Sequence, residues 1–242
     1  IYIYFDTIML QRITHNDQAV GYYSFALKMV KVFLLVIVAV GTVLAPRLSY
    51  LVSSGFEKES NAYINKLVQF ILIAAIPAGA GMSLLAPEII GAIAGEKFSP
   101  SIPLLRILAW LPLIIGLSNV FCFQTLVPFK QERKFLTTVL TGCFVSISAN
   151  LLLIPYFQEK GAAMASIITE ITITIMSGYL ASRLTKLTLQ SSMIVQIIIS
   201  CLLFIPIIVV TRNLFSNQIL ILLVAIPLCA MLYVFMLGNI YK

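Results

Sequence analysis

Residues 21–40, GYYSFALKMVKVFLLVIVAV, place two lysines inside a run otherwise suited to lipid. Ser24, Lys28 and Lys31 stand at i, i+4 and i+7, one face of a helix, and the small residues Ala39 and Thr42 extend roughly that stripe. A charge at the centre of a membrane helix costs about 2.5–3.5 kcal/mol on insertion scales, so the pair would cost roughly 5–7 kcal/mol if both faced lipid at that depth. The stripe must therefore face a cavity, a partner or water. One reading has Lys28 snorkel to the interface or pair with Asp6. Lys31 lies about 17 Å along the helix at 1.5 Å per residue and is less able to escape that way. The other reading is a cationic wall in an internal cavity, where lysine suits an anionic substrate such as a phosphate as a point charge.

Two carboxylates join the lysines as charges within apolar spans: Asp6 and Glu170. They are candidates for charge balance or coupling. For Glu170 a proton relay, a lysine partner, a substrate contact and a purely structural pair are all open. Asn150 sits near the end of one apolar run and reads as an interhelical hydrogen bond before a substrate contact. Gly161 opens the next run, and GAAMAS at 161–166 supplies small residues that permit close helix packing. The lone His15 lies in a loop and reads as solvated. Cys122, Cys143, Cys201 and Cys229 lie singly in apolar runs, without metal or disulfide spacing. GEK at 95–97 superficially resembles a phosphate loop, but the spacing from Gly91 is wrong and Phe98 replaces the hydroxyl residue. There is no HExxH, no GxSxG and no metal-spaced His/Cys cluster, so no cofactor, no metal and no enzymatic chemistry is expected.

The elements that must position these residues are membrane helices. The chain has 242 residues, 60% hydrophobic and 10% charged, with a mean hydropathy of +1.03. A soluble domain is about 45–50% apolar and about 25% charged. The composition excludes soluble enzymes, nucleic-acid binders and secreted scaffolds. The net charge of +7 does not change this, because the basic residues fall between apolar segments and form no patch. Apolar runs of about 17–25 residues mark spans: a partial one at 1–13, then 20–46, 63–86, 102–127, 134–154, 161–183, 193–211 and 217–240. The fold class is all-α, a polytopic transmembrane helix bundle. Residues 87–101 are too short and polar to span and read as an interfacial helix and turn. Pro46, Pro87, Pro128 and Pro155 sit where a proline can close a span. Pro77, Pro112, Pro206 and Pro227 lie inside spans and should kink them. Trp110 should pack within its span.

Lys and Arg fix the expected orientation. Arg47, Lys58, Lys66, Lys130, Arg133, Lys134, Arg183, Lys186 and Lys242 fall on one side, and Arg12, Lys97, Arg106, Lys160 and Arg212 on the other. The richer set is expected in the cytoplasm, with the C-terminus. The chain opens on Ile1 without a signal-like segment, and IYIYFDTIML reads as the tail of a helix already under way. The expectation is a fragment whose N-terminal part lies elsewhere.

Several stretches together carry a resemblance: FDTIMLQRIT…AVGYYSFALKMVKV at 5–32, VLAPRLSYL at 43–51, GEKFSPSIPLLRILA at 95–109 and NLLLIPYFQEKGAAMASIITE at 150–170. In order and spacing this resembles the Wzx-type O-antigen and polysaccharide flippases of the multidrug/oligosaccharidyl-lipid/polysaccharide exporter superfamily, over about residues 5–183. Gln11 departs from the pattern, standing where the family carries glycine. The resemblance implies a multi-pass carrier in the bacterial inner membrane that moves undecaprenyl-diphosphate-linked oligosaccharide from the cytoplasmic to the periplasmic leaflet, serving lipopolysaccharide assembly. It implies two pseudo-symmetric six-helix bundles around a cavity. Residues 1–183 would supply the C-terminal bundle, spans 7–12, and residues 184–242 two additional helices. Lys28 and Lys31, with Ser24, would bind the diphosphate, while Asp6 and Glu170 balance charge or couple transport. The implied partners are the lipid-linked oligosaccharide, membrane lipids, a polysaccharide polymerase and a chain-length regulator. A murein-precursor (lipid II) flippase of the same superfamily would share the cationic cavity. A drug exporter would prefer cavity carboxylates over lysines. A membrane polymerase or glycosyltransferase would need a large extramembrane loop, and the connections here are under about twenty residues by the span lengths used.

Overall fold

The protein is described here from a computed structural model, which covers residues 2–188 and 190–238, residues 2–4 by their backbone alone. Lys242 and the last residues of the span expected over 217–240 lie outside the described residues, as does Ile1.

The helices, in order, are α1 (Tyr2–Thr14), α2 (Asp17–Ser53), α3 (Glu57–Leu84), α4 (Ala86–Ala94), α5 (Ser101–Leu108), α6 (Leu111–Phe121), α7 (Glu132–Ser182), α8 (Ser191–Leu202), α9 (Phe204–Leu214) and α10 (Gln218–Gly238). A short 3₁₀ turn covers Glu96–Phe98, and a π-helical turn over Cys122–Leu126 continues α6. No strand occurs among the described residues. Six stretches are long and apolar enough to cross a membrane. The longest of these, α7, is two helices joined at Gln158, whose φ of 49° and ψ of −124° break the helical run. The bundle is therefore an all-α, multi-pass membrane fold. Its outer surface fits lipid as the solvent: Val43, Phe144, Tyr156 and Phe235 are all exposed.

Residues 132–157 and 159–182 form the two arms of a helical hairpin. Gly161 makes the turn possible. A Cβ there would lie 2.4 Å from the Leu153 carbonyl oxygen of the opposite arm, so a larger residue would push the arms apart. Ala162, Ala163 and Ala165 continue the close approach and are fully buried.

The connections define two ends. His15 and Asn16, residues 85–100, Gln158 and residues 215–217 lie at the first end; residues 54–56, 127–131 and 183–188 lie at the second. Arg47, Lys58, Lys66, Lys130, Arg133, Lys134, Arg183 and Lys186 gather toward the second end. At the first end Asn16 caps α2, its Oδ1 accepting from the backbone N–H of Gln18 and Ala19. His15 is exposed there, and residues 86–98 form the short helix and turn expected between spans. Gln11 is helical, with no turn, and donates to Asp17.

The prolines correct one expectation. Pro46 does not close α2; the helix runs through it to Ser53. One backbone hydrogen bond is lost at the proline. Packing beyond it offsets that loss: Leu48 is fully buried, and the Arg47 guanidinium sits 5.8 Å from the Tyr63 ring centroid. Pro155 likewise lies inside α7, with the break three residues later. Pro112 and Pro206 act as expected of interior prolines. The helix is interrupted just upstream of each, at 109–110 and at Leu203, where proline removes the bond to the preceding turn. Trp110 sits at the first of these joints, half exposed, against Gly79.

Two apolar cores stack along the bundle. The first joins α1, α2, α4, α5 and the hairpin turn through Leu10, Tyr23, Leu27, Val30, Leu104 and Ala162. The second joins α2, α3, α6 and the far end of α7 through Ile37, Leu48, Leu67, Ile71, Phe121 and Ala181. Lys31 on α2 and Glu170 on α7 fall between them. A third core holds α8–α10 on α3. Arg212 fixes α9 to α4 with a bidentate pair to Glu88, at 2.6 and 2.9 Å, and donates to the Leu84 carbonyl. The connection from α7 is pinned by Asn65, which bonds Lys186 O and Thr188 N–H, and by Asn61, which accepts from Lys186 N–H.

Candidate functional site

Asp6 is 3% exposed and lies where α1, α2 and both arms of α7 meet. Its Oδ1 accepts from Asn150 Nδ2 at 2.6 Å and from Ser146 Oγ at 3.3 Å, both on the first arm. Its Oδ2 accepts from Ser166 Oγ at 2.5 Å on the second arm, and from the Tyr23 hydroxyl of α2 at 3.5 Å. Tyr23 and Ser166 also bond each other at 2.9 Å. Local structure explains each position. Ser146 and Asn150 are one helical turn apart, so both face α1. Ser166 follows the small residues that let the arms touch. Tyr23 sits on the buried face of α2 that also carries Ala19, Ala26, Leu27 and Val30.

The partners of Asp6 are all neutral. Among the described residues no basic side chain pairs with it, and the Lys28–Asp6 pairing that the sequence left open is not formed. Asn150 is fully buried. Its amide nitrogen is shared between Asp6 and the Ser146 carbonyl, and its Oδ1 has no hydrogen-bond partner.

The lysine stripe lies elsewhere. The buried face of α2 is turned well away from Ser24, Lys28 and Lys31. Lys28 is exposed, and Ser24 and Lys31 are half-buried. A groove of about 600 Å³ takes Met29, Val32 and Phe33 from another face of α2 as one wall, with Pro77, Leu85, Phe204 and Tyr233 among the others, and none of Ser24, Lys28 and Lys31 lines it. Its lining is apolar.

Glu170 is 2% exposed, one turn beyond Ser166 on the second arm. α2 and the second arm run in the same direction, and the Tyr23–Ser166 contact sets their register. Leu27 is therefore level with Glu170, and Lys31 lies one turn further toward the second end. The structure thus brings Asp6, Asn150 and the Gly161 turn into one assembly. Glu170 lies deeper, and Ser24, Lys28 and Lys31 lie on a different surface. The four cysteines are free.

Sequence reasoning did not single out Tyr23, Ser146 or Ser166. The i, i+4 spacing of Ser146 and Asn150 was the available signal for one of them. It also missed the π-helical turn, where buried Gln124 packs against Gly41. Such turns inside helices recur at functional sites.

No curated protein matches the chain. Residues 8–103 match the family model described as a polysaccharide biosynthesis protein. Over that stretch, which runs from α1 to the start of α5 and carries the lysine stripe, the chain is similar to polysaccharide biosynthesis proteins.

Proposed function

We propose that the protein works as a flippase, carrying an undecaprenyl-diphosphate-linked oligosaccharide of O-antigen or polysaccharide assembly from the cytoplasmic to the periplasmic leaflet of a bacterial inner membrane. It acts as a carrier, not an enzyme, with its C-terminus in the cytoplasm. The observation that supports this reading is that Lys28, exposed, and Lys31, half-buried, stand inside the long apolar helix α2, off its buried face, within the stretch similar to polysaccharide biosynthesis proteins. On this reading the described helices are the second of two bundles, with α8 and α9 together as one additional span and α10 as the other. The lysine flank looks into the cavity between the bundles.

The lysines, with Ser24, hold the diphosphate by charge, and the sugars cross in the cavity. Glu170 balances the lysine charge from the same level of the bundle. Asp6, held by both arms of α7, is the coupling group. The partners are the lipid-linked oligosaccharide and membrane lipids, with a polymerase and a chain-length regulator receiving the product.

The test is the double substitution Lys28→Ala/Lys31→Ala in the full-length protein, in a host that depends on it for surface glycan. Surface glycan should disappear at unchanged protein level. Unchanged glycan would remove the lysines, and this reading with them.

A further inference from the structure

Proline weakens four neighbouring helical stretches on one flank of the bundle, and the weak points touch. Pro77 lies inside α3. Having no N–H, it leaves the Ile73 carbonyl, four residues earlier, without its helical donor. The Tyr233 hydroxyl of α10 donates to that carbonyl at 2.6 Å. The Tyr233 ring meets Phe204 edge to face, centroids 6.4 Å apart, at the Leu203 joint upstream of Pro206. Two residues past Pro77, Gly79 stands against the 109–110 joint upstream of Pro112. A Cβ there would lie 3.0 Å from the Ala109 carbonyl oxygen and 3.2 Å from the Trp110 ring. In α10, Pro227 falls between Gln218, which seats against Gly91 of α4, and Tyr233. On each side of this line the structure is braced. Toward the first end, Arg212 of α9 holds Glu88 of α4 and the Leu84 carbonyl at the close of α3. Ala80 and Leu85 pack there with Phe204 and Ile208. Toward the second end, Ile64, Leu67, Val68 and Ile71 hold the start of α3 in the second core.

We infer that Pro77, Pro112, Pro206 and Pro227 form one hinge across this flank, about which residues 78–108, 204–214 and 218–226 tilt as a body against the rest of the bundle, with the Tyr233–Ile73 bond as the latch that sets the resting position. A helix bends most easily where a backbone bond is already missing. Here the missing bonds lie side by side, so the helices can bend together. The latch sits where it matters. Away from water a carbonyl without a donor is costly, so the Tyr233 hydroxyl ties α10 to α3 at the weakened turn itself. The apolar groove supplies the room for movement. Ala78, Leu85, Ile93 and Ile208 of the body form one side of it, and Met29, Val32 and Phe33 of α2 another. Ile90, Leu104 and Leu108 pack with Leu27 and Val30 of α2 in the first core. The body therefore rocks over that contact, and rocking widens or narrows the groove. Hinges of this kind confine a movement to a few residues at the ends of elements. The inference goes beyond the flippase reading and would stand if the cargo were something else.

The experiment uses the full-length protein with its native cysteines replaced, held in phospholipid nanodiscs and spin-labelled at Ile93→Cys and Val36→Cys. Both positions are exposed, Ile93 on the body and Val36 on α2. Their separation is read by pulsed electron paramagnetic resonance. A tilt of about 10° around a point about ten residues away moves a label by about 3 Å, at 1.5 Å of rise per residue. Tyr233→Phe keeps the ring on Phe204 and removes the latch, and it should shift or broaden the distance by that much. Pro77→Ala gives the Ile73 carbonyl a backbone donor. It should narrow the distribution, and in that background Tyr233→Phe should have no further effect. Melting repeats the cycle: Tyr233→Phe should lower the Tm by about 2–4 °C alone and by less than about half of that beside Pro77→Ala. A distance unchanged by Tyr233→Phe would overturn the hinge, and this arm is decisive even if Pro77→Ala cannot be purified. A distribution left as broad by Pro77→Ala would also overturn it, placing the flexible point elsewhere. Equal loss of Tm in both backgrounds would overturn the latch, because the hydroxyl would then not be replacing the bond that Pro77 removes. None of these readouts requires transport, so the hinge can fail while the flippase reading stands, and the reverse.

Discussion

Asp6 and Lys28 are both charges within the apolar part of one bundle, and their surroundings are opposite. Asp6, on α1, is closed in by α2 and both arms of α7 and held by hydroxyl and amide groups drawn from sequence separations of 17, 140, 144 and 160 residues. Lys28 is exposed, on a flank of α2 that the described helices leave uncovered. An internal hydrogen-bond network offsets the cost of the carboxylate. The cost of the lysine must be offset from outside the packed bundle, by lipid headgroup, water, ligand or further polypeptide. The difference separates two jobs: the Asp6 assembly holds helices to one another, and the lysine flank is presented to something else.

The comparison can be broken most severely at the hairpin. Gly161→Val places carbon where the Leu153 carbonyl already sits, 2.4 Å from the Cβ position. The arms must part, and Ser146 and Asn150 then lose register with Ser166. The expected cost is more than about 4 kcal/mol, among the exceptional values for a single substitution. In practice this is loss of the monodisperse peak when the detergent-solubilised protein is run on a sizing column. A wild-type peak would show that the close approach at Gly161 is not what holds the arms.

A milder break removes one donor. Asn150→Leu keeps the branched shape, with slightly bulkier ends, and leaves Asp6 Oδ1 with only the longer Ser146 bond. The expected loss is about 1–3 kcal/mol, the cost of leaving a buried polar group poorly satisfied. It would be read as a lower Tm with a normal sizing profile. No change in Tm would mean that Asp6 is satisfied by Ser166 and Tyr23 alone.

The contrast also separates what the sequence could reveal from what it could not. The spans over α2, α3, 101–126, both arms of α7, 191–214 and α10 were legible, because length and apolarity are local properties. So was the short helix at 86–94, too short and polar to cross. The charges themselves were conspicuous, since few residues in such a chain are charged. Their surroundings were not. Ser146, Ser166 and Tyr23 are ordinary residues for a membrane helix, and only the folded hairpin brings them to Asp6. Pro46 misled for the opposite reason. Its local effect favours a helix end, and the burial of Leu48 two residues later outweighs it. The π-helical turn at Cys122–Leu126 left no mark in the pattern of apolar residues.

The smallest expected effect on stability sharpens the comparison most. Lys28→Cys, in a protein whose four native cysteines are replaced by serine or alanine, should melt within about 0.5 kcal/mol of its cysteine-free parent, as exposed positions usually do. The matching Asp6→Cys variant loses the hydrogen bonds of four partners and should melt lower. The two should then differ in reactivity. A small, polar, membrane-impermeant thiol reagent applied to solubilised protein should modify position 28 readily and position 6 hardly at all, because a thiolate can form only where water reaches the sulfur. In intact membranes the two remaining explanations for the lysine flank divide. If the flank faces a water-filled cavity, position 28 stays reactive. If it faces lipid, the modification is lost on returning the protein to the bilayer, because the thiolate no longer forms. Equal reactivity at 6 and 28 in detergent would erase the distinction between an internally satisfied charge and a displayed one. The Asp6 assembly would then have to be regarded as open to solvent.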